Sequence, residues 1–141
     1  MKRMIQLVCL VLVFVMCITI PAHATEQDQR ASSFFASYRA YCSATSSTQL
    51  GITVHVVAVG EMEEIGASEV KIQRSSDGTN WTTVKTFTKS LYPDMIDEDT
   101  GSHLFNLYCS KTSGYYYRAY VTFYAKNSTG TGYRYYYTDK I

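Results

Sequence analysis

The sequence has no run of basic residues, no C-x-x-C pair, no G-x-S-x-G elbow and no H-E-x-x-H segment, and each absence removes a class of function. Without a basic patch there is no electrostatic footprint for nucleic acid. Without a nucleophile elbow or a histidine pair at helical spacing there is no signature of a serine hydrolase or a zinc peptidase. Without closely spaced cysteines neither a thiol redox centre nor a structural zinc site is expected. Proline, glycine and charge are also scarce, with two prolines, eight glycines and 18 % charged residues in 141. That composition argues against a disordered or fibrous chain. No helical apolar period and no internal repeat occur beyond the first twenty residues, so the remainder is expected to be built from strands.

What is present begins with a leader. Lys2 and Arg3 precede the apolar run Met4 to Ile20, and Ala22-His23-Ala24 supplies a small-residue site, the layout of a secretory signal peptide. Cleavage after Ala24 leaves 117 of the 141 residues, with eleven Lys and Arg against twelve Asp and Glu. The apolar run is somewhat long for a signal, so an uncleaved anchor is the alternative. Val8 and Met16 stand before Cys9 and Cys17, where bacterial lipidation needs a small residue, so no lipid anchor is expected. The leader fits bacterial export, and no second apolar span follows it, so the expected product is a secreted protein that does not stay at the membrane. Cys9 and Cys17 depart with the leader. Cys42 and Cys109 remain, either joined as one disulfide in an oxidising compartment or separately buried as small hydrophobes.

Residues 25–33 are polar and aperiodic and read as a flexible lead-in, so a single domain is expected over 34–141. Phe34, Ala36, Tyr38, Ala40 and Cys42 share one parity, the pattern of a half-buried strand. Leu50, Ile52, Val54, Val56 and Ala58 give the clearest alternation and predict a central strand. Val70 and Ile72 lead into Asp77-Gly78, a strong hairpin signal, and the chain returns over Trp81 to Thr88. Phe105, Leu107 and Cys109 alternate next, followed by two tyrosine-rich strands, Tyr115 to Lys126 and Tyr133 to Thr138, around the turn Asn127 to Gly132. The polar stretches Gly60 to Ser68 and Tyr92 to Ser102 read as loops. About seven short antiparallel strands predict an all-β fold of two packed sheets, a β-sandwich.

Two stretches carry a resemblance. Val70-Lys-Ile-Gln-Arg-Ser-Ser-Asp-Gly-Thr-Asn-Trp-Thr-Thr-Val84 has the form "V-x-I-x-R-S-x-D-G" followed by "W-x-x-V", and Ala125-Lys-Asn-Ser-Thr-Gly130 has the form "A-x-N-x-x-G". Both resemble immunoglobulin-like sandwiches of the fibronectin type III kind. The resemblance implies an architecture in which the first and fifth strands flank the second. It carries no binding residue, since this fold hosts many unrelated functions. The family's corner tyrosine would fall at Ala119, with Tyr117 one pleat earlier. In such an order Cys42 and Cys109 stand about 9.5 Å apart, two strand spacings, which strains a disulfide unless the first strand changes sheet or the second ends early.

For chemistry, His55 and His103 lie on or beside strands with no nucleophile motif, and no catalytic residue is expected. Glu61, Glu63 and Glu64, and Asp94, Asp97, Glu98 and Asp99, read as solvated charge; a glycosidase pair or a calcium site in the second cluster are the alternatives. No cofactor is expected. Asn80 and Asn127 match the N-glycosylation triplet, which means nothing in a bacterial setting. The remaining signal is tyrosine: nine of the thirteen tyrosines fall in the last two strands. Alternation places Tyr116, Arg118, Tyr120 and Tyr124 on the outer face, with Arg134 and Tyr136 expected to join them. Rigid amphipathic rings beside arginines suit a surface that engages an extracellular protein or glycan; a cross-strand ladder is the bland alternative. The function expected is a non-enzymatic binding module. Self-association through the last strand, or a small carboxylate hydrolase, are the alternatives.

Overall fold

The computed structural model describes residues 34–141; the signal peptide expected over 1–24 and the lead-in over 25–33 lie outside the described residues. Strand β1 (Phe35–Ala44) is followed by β2 (Gln49–Ser75) and β3 (Thr82–Thr88). A short 3-10 turn (Pro93–Met95) leads into β4 (Ile96–Ser110), and β5 (Tyr116–Asn127) and β6 (Gly130–Tyr137) complete the described elements. All pairings are antiparallel and form one six-stranded sheet. The all-β class is therefore as the alternation predicts.

Strand β2 organises the rest. Residues 50–57 pair with β1 on one edge and β4 on the other, and Glu64, Ile65 and Gly66 pair with both β4 and β5. Hence β1 and β5 share one edge of β2, while β4 and then β3 share the other. At ordinary strand rise, 27 residues would extend for roughly 90 Å, far more than a domain of this size spans. The sheet curls instead. Its register slips between Val57 and Met62 and again between Ala67 and Glu69, bulges of the kind that bend a strand and sharpen its twist. Leu50, Ile52, Val54 and Val56 from the first half of β2 then share one core with Ile65, Val70 and Ile72 from the second, and with Val121 and Phe123 of β5. Tyr38 of β1 reaches across to Phe123, 5.2 Å between ring centroids. This curled antiparallel sheet is compatible with a sandwich-like fold.

Three expectations need correction. The stretches 60–68 and 96–102 are not loops, and only 92–95 before β4 stays outside the strands: Met62 pairs opposite Thr100, Glu64 opposite Glu98 and Gly66 opposite Ile96. The second and third expected strands are thus one, and the count is six. Met62, Ile65 and Met95 are buried there while Glu61 and Glu63 are exposed, but the bulges break the period of two and hide the pattern. In β1, a bulge between Phe35 and Ser37 turns Phe35 inward and leaves Ala36 exposed, while Tyr38, Ala40 and Cys42 keep the core side. At the carboxyl end of the β4–β5 connection, the Tyr117 hydroxyl accepts the backbone N–H of Thr112 at 2.8 Å, fastening the crossing between the two halves of the sheet. The Asp77-Gly78 turn forms as expected. The Asp77 carboxylate accepts the N–H groups of Thr79 and Asn80, each at 2.8 Å, bonds that hold it far below the usual carboxylate range.

The third correction concerns the cysteines. Cys42 lies opposite Ile52 on one side of β2 and Cys109 opposite Leu50 on the other, and both are free and half-buried. Strand β2 keeps their backbones two strand spacings apart, about 9.5 Å, beyond the roughly 7 Å that a disulfide tolerates. The disulfide is replaced by two separate thiols. Burial pushes the Cys42 thiol from an ordinary 9.0 up to about 11, and burial raises Cys109 as well. Because the folded pKa lies above the unfolded one, Cys42 stabilises the fold below pH 9 and that contribution fades as pH rises toward 11. The urea midpoint of the wild type is expected to fall over that window more steeply than that of Cys42→Ala. Peptide mapping is expected to find Cys42 alkylated by iodoacetamide at pH 8 only after unfolding; prompt alkylation in the native protein, or matching slopes, contradicts the burial argument.

Candidate binding face

Strand β5 divides the molecule. Its odd residues Tyr117, Ala119, Val121 and Phe123 are buried in the core, so Tyr116, Arg118, Tyr120, Thr122 and Tyr124 point away from it. The loop to β6 contains only Ser128 and Thr129, and the Asn127 side-chain oxygen accepts the Thr129 N–H at 2.9 Å and the Thr129 hydroxyl at 2.6 Å. That length sets the register, with Tyr120 opposite Tyr137, Thr122 opposite Tyr135 and Tyr124 opposite Tyr133. Tyr133, Tyr135 and Tyr137 therefore stand on the outer face, 45 %, 54 % and 52 % exposed.

The register moves two expected members of the face to the other side. Arg134 is opposite Phe123 and Tyr136 opposite Val121, and the Tyr136 ring packs 6.4 Å from Tyr38 and 6.5 Å from Phe123. Tyr124 keeps the outer parity but is covered: Lys89 Nζ sits 3.7 Å above its ring and Tyr133 lies 5.5 Å away, leaving it 6 % exposed. Tyr116, Arg118 and Tyr120 are brought together on the outside as the alternation predicts.

Arg118 is the centre of that group. Its guanidinium lies 4.2 Å from the Trp81 ring centroid on one side and 4.4 Å from that of Tyr137 on the other, and its Nε donates to Gln73 Oε1 at 2.8 Å. The cation is thereby clamped between two negative ring faces. Beyond it, Tyr120 lies 4.6 Å from Tyr137 and 6.1 Å from Tyr135, almost parallel to the latter. Burial against these rings raises the Tyr120 hydroxyl pKa. Lys71 pairs with Glu69 at 2.8 Å, and Lys140 Nζ sits 5.2 Å over Tyr116. Sequence reasoning missed Trp81, Gln73, Tyr135 and Tyr137 as members. Counting the residues between Asn127 and Gly130 as a two-residue loop would have found the tyrosines.

The alternatives for chemistry find less. His103 is engaged, its Nε2 2.9 Å from the Asp94 carbonyl and its Nδ1 3.6 Å from Asp97 Oδ2, with the ring stacked on Phe105. His55 stands on the outer side of β2 between Arg39 and Leu104. Glu64 is held below the usual carboxylate range, chiefly by the hydrogen bond from Lys89 at 2.9 Å, the reverse of what a general acid needs. Asp97, Glu98 and Asp99 lie along strand β4, and among the described residues no group of three or more His, Cys, Asp or Glu is arranged to hold a metal ion.

Fold and site together define an all-β protein that presents an aromatic and cationic sheet face. No protein-family model, no curated protein and no solved structure matches the chain.

Proposed function

We propose that the protein is a secreted, non-catalytic binding module whose outer face, Trp81, Arg118, Tyr120, Tyr135 and Tyr137, engages a protein or glycan at or outside the cell surface. The observation that carries this reading is the clamp on Arg118 beside half-exposed tyrosines. Rings and a guanidinium already fixed in place offer contact area at small entropic cost. The leader-like first 24 residues support export. A fibronectin type III-like sandwich is part of the same proposal. It is supported by β1 and β4 flanking β2, by the hairpin at Asp77-Gly78, and by the Tyr117 hydroxyl bonded to upstream backbone at the corner between sheet halves.

The test is a screen of the wild type and a Tyr120→Ala/Tyr135→Ala/Tyr137→Ala variant on immobilised cell-wall polysaccharides and extracellular proteins, with thermal unfolding recorded for both. The variant is expected to stay folded and to lose at least about thirtyfold in affinity, the effect of a single hot-spot residue. Equal binding by both proteins would return these tyrosines to a cross-strand ladder. A mass that rises with concentration, without any ligand bound, would move the reading to self-association through β6, which among the described residues pairs only with β5.

A further inference from the structure

We infer that the ligand of this face is an acidic polysaccharide, with its sugar rings on Tyr120, Tyr135 and Tyr137 and a carboxylate received by the terminal nitrogens of Arg118. The inference rests on the binding-module reading and names its ligand class.

Arg118 has the features of a fork prepared for a planar anion. A guanidinium presents five N–H donors in fixed directions that match a carboxylate two at a time. Here the Nε donor is committed to Gln73 and the plane is fixed between Trp81 and Tyr137, so little rotamer freedom remains to be lost on binding. Among the described residues no carboxylate pairs with Arg118. Of the acids near this face, Glu69 holds Lys71, Asp77 is enclosed by its own turn, and Asp139 stands beside Lys140 in the chain.

The cation at the centre of the rings is left without a carboxylate. Arg118 and Lys140 lie against aromatic faces, and among the described residues neither forms an ion pair, while Asp97 and Glu98 of β4 lie opposite Ile65 and Glu64 in the middle of β2. The aromatic face thus holds at its centre a guanidinium that no described carboxylate neutralises, which favours an anion there by simple complementarity. The successive rings Tyr137, Tyr120 and Tyr135 suit a polymer of rings, because the C–H faces of sugars are drawn to the negative π face. A protein partner would anchor its hot spots in pockets. A groove of about 380 Å³ lined by Phe87, Tyr92, Met95, Phe105 and Leu107 among others lies away from these rings.

The experiment titrates the full chain with polygalacturonate, alginate and hyaluronan at low salt, each beside its carboxyl-reduced form, by calorimetry. Wild-type protein is expected to bind at least one acidic polymer, and carboxyl reduction is expected to weaken that binding by about tenfold to a hundredfold, the range for hydrogen bonds to a charged group. Arg118→Lys keeps the charge but not the fork, and is expected to lose about tenfold with an unchanged melting temperature. If that variant unfolds, Gln73→Leu releases Nε while leaving the arginine in place, and a smaller loss in the same direction is expected. Equal affinity for acidic and reduced polymers, or full binding by Arg118→Lys, overturns the carboxylate assignment. The module reading survives either result so long as the triple tyrosine variant loses binding. Failure to bind any of the three polymers also overturns the acidic-glycan inference; capture of an extracellular protein by the same face would then leave the module reading in place with a different ligand.

Discussion

Gly66→Ala is expected to cost more than about 3 kcal/mol, beyond the usual range for an overpacked core position, and to lower the melting temperature by roughly 12 °C or more. Gly66 is buried where three strands meet, opposite Ile96 of β4 and Tyr124 of β5. A methyl group placed there would overlap the carbonyl oxygen of Met95 and stand 3.0 Å from Ile96 Cα. Those neighbours are backbone, so no rotamer change makes room. Relief requires the start of β4 to leave β2, which would draw the fully buried Met95 out of the core. The control is Gly60→Ala. Gly66 and Gly60 both have a positive φ, +155° and +147°, but nothing lies within 4 Å of a methyl added at Gly60, so only backbone strain of about 1–3 kcal/mol is expected there. Urea denaturation of the two variants separates these outcomes. Equal, small losses would mean that β4 does not pack against β2 at Gly66.

The same glycine marks where the sequence stops being readable by eye. Alternation is plain wherever a strand runs regularly, as in Leu50 to Ala58 and Tyr117 to Ala125, and there the inward residues are the ones alternation selects. Asp77-Gly78 is equally legible because its turn chemistry is local. Between Gly60 and Ser68 the apolar residues Met62, Ile65 and Ala67 fall at spacings of three and two, separated by glutamates, because bulges shift the pleat. A period-2 reading then finds only charge and reports a loop. The site divides along the same line. Tyr116, Arg118 and Tyr120 were legible because their facing depends on one strand alone. Arg134 and Tyr136 were misplaced because facing across a hairpin depends on loop length, and a single residue of error exchanges the two faces. The Trp81 clamp was out of reach because it joins β3 to β5 across β2, a contact that no local pattern encodes.

Phe123→Ala is expected to remove about 3–5 kcal/mol, the cost of truncating a large aromatic ring in a packed core, while Tyr120→Ala three residues earlier costs about 1 kcal/mol or less, the range of a cross-strand pair. Phe123 is fully buried. It touches Tyr38 of β1 and Tyr136 of β6, so it joins the first strand to the last through one side chain. Removing it leaves a cavity that three different strands would have to move to fill, and collapse is correspondingly poor. Tyr120 faces the other way, and its loss exposes Tyr137 and Tyr135 without opening the interior. Chemical denaturation of the pair checks whether β5 separates its two tasks, with stability on the odd residues and ligand contact on the even ones. A loss near 1 kcal/mol at Phe123 would mean that the two halves of β2 do not share a core. In that case the curl, and the aromatic face that depends on it, would have to be redrawn.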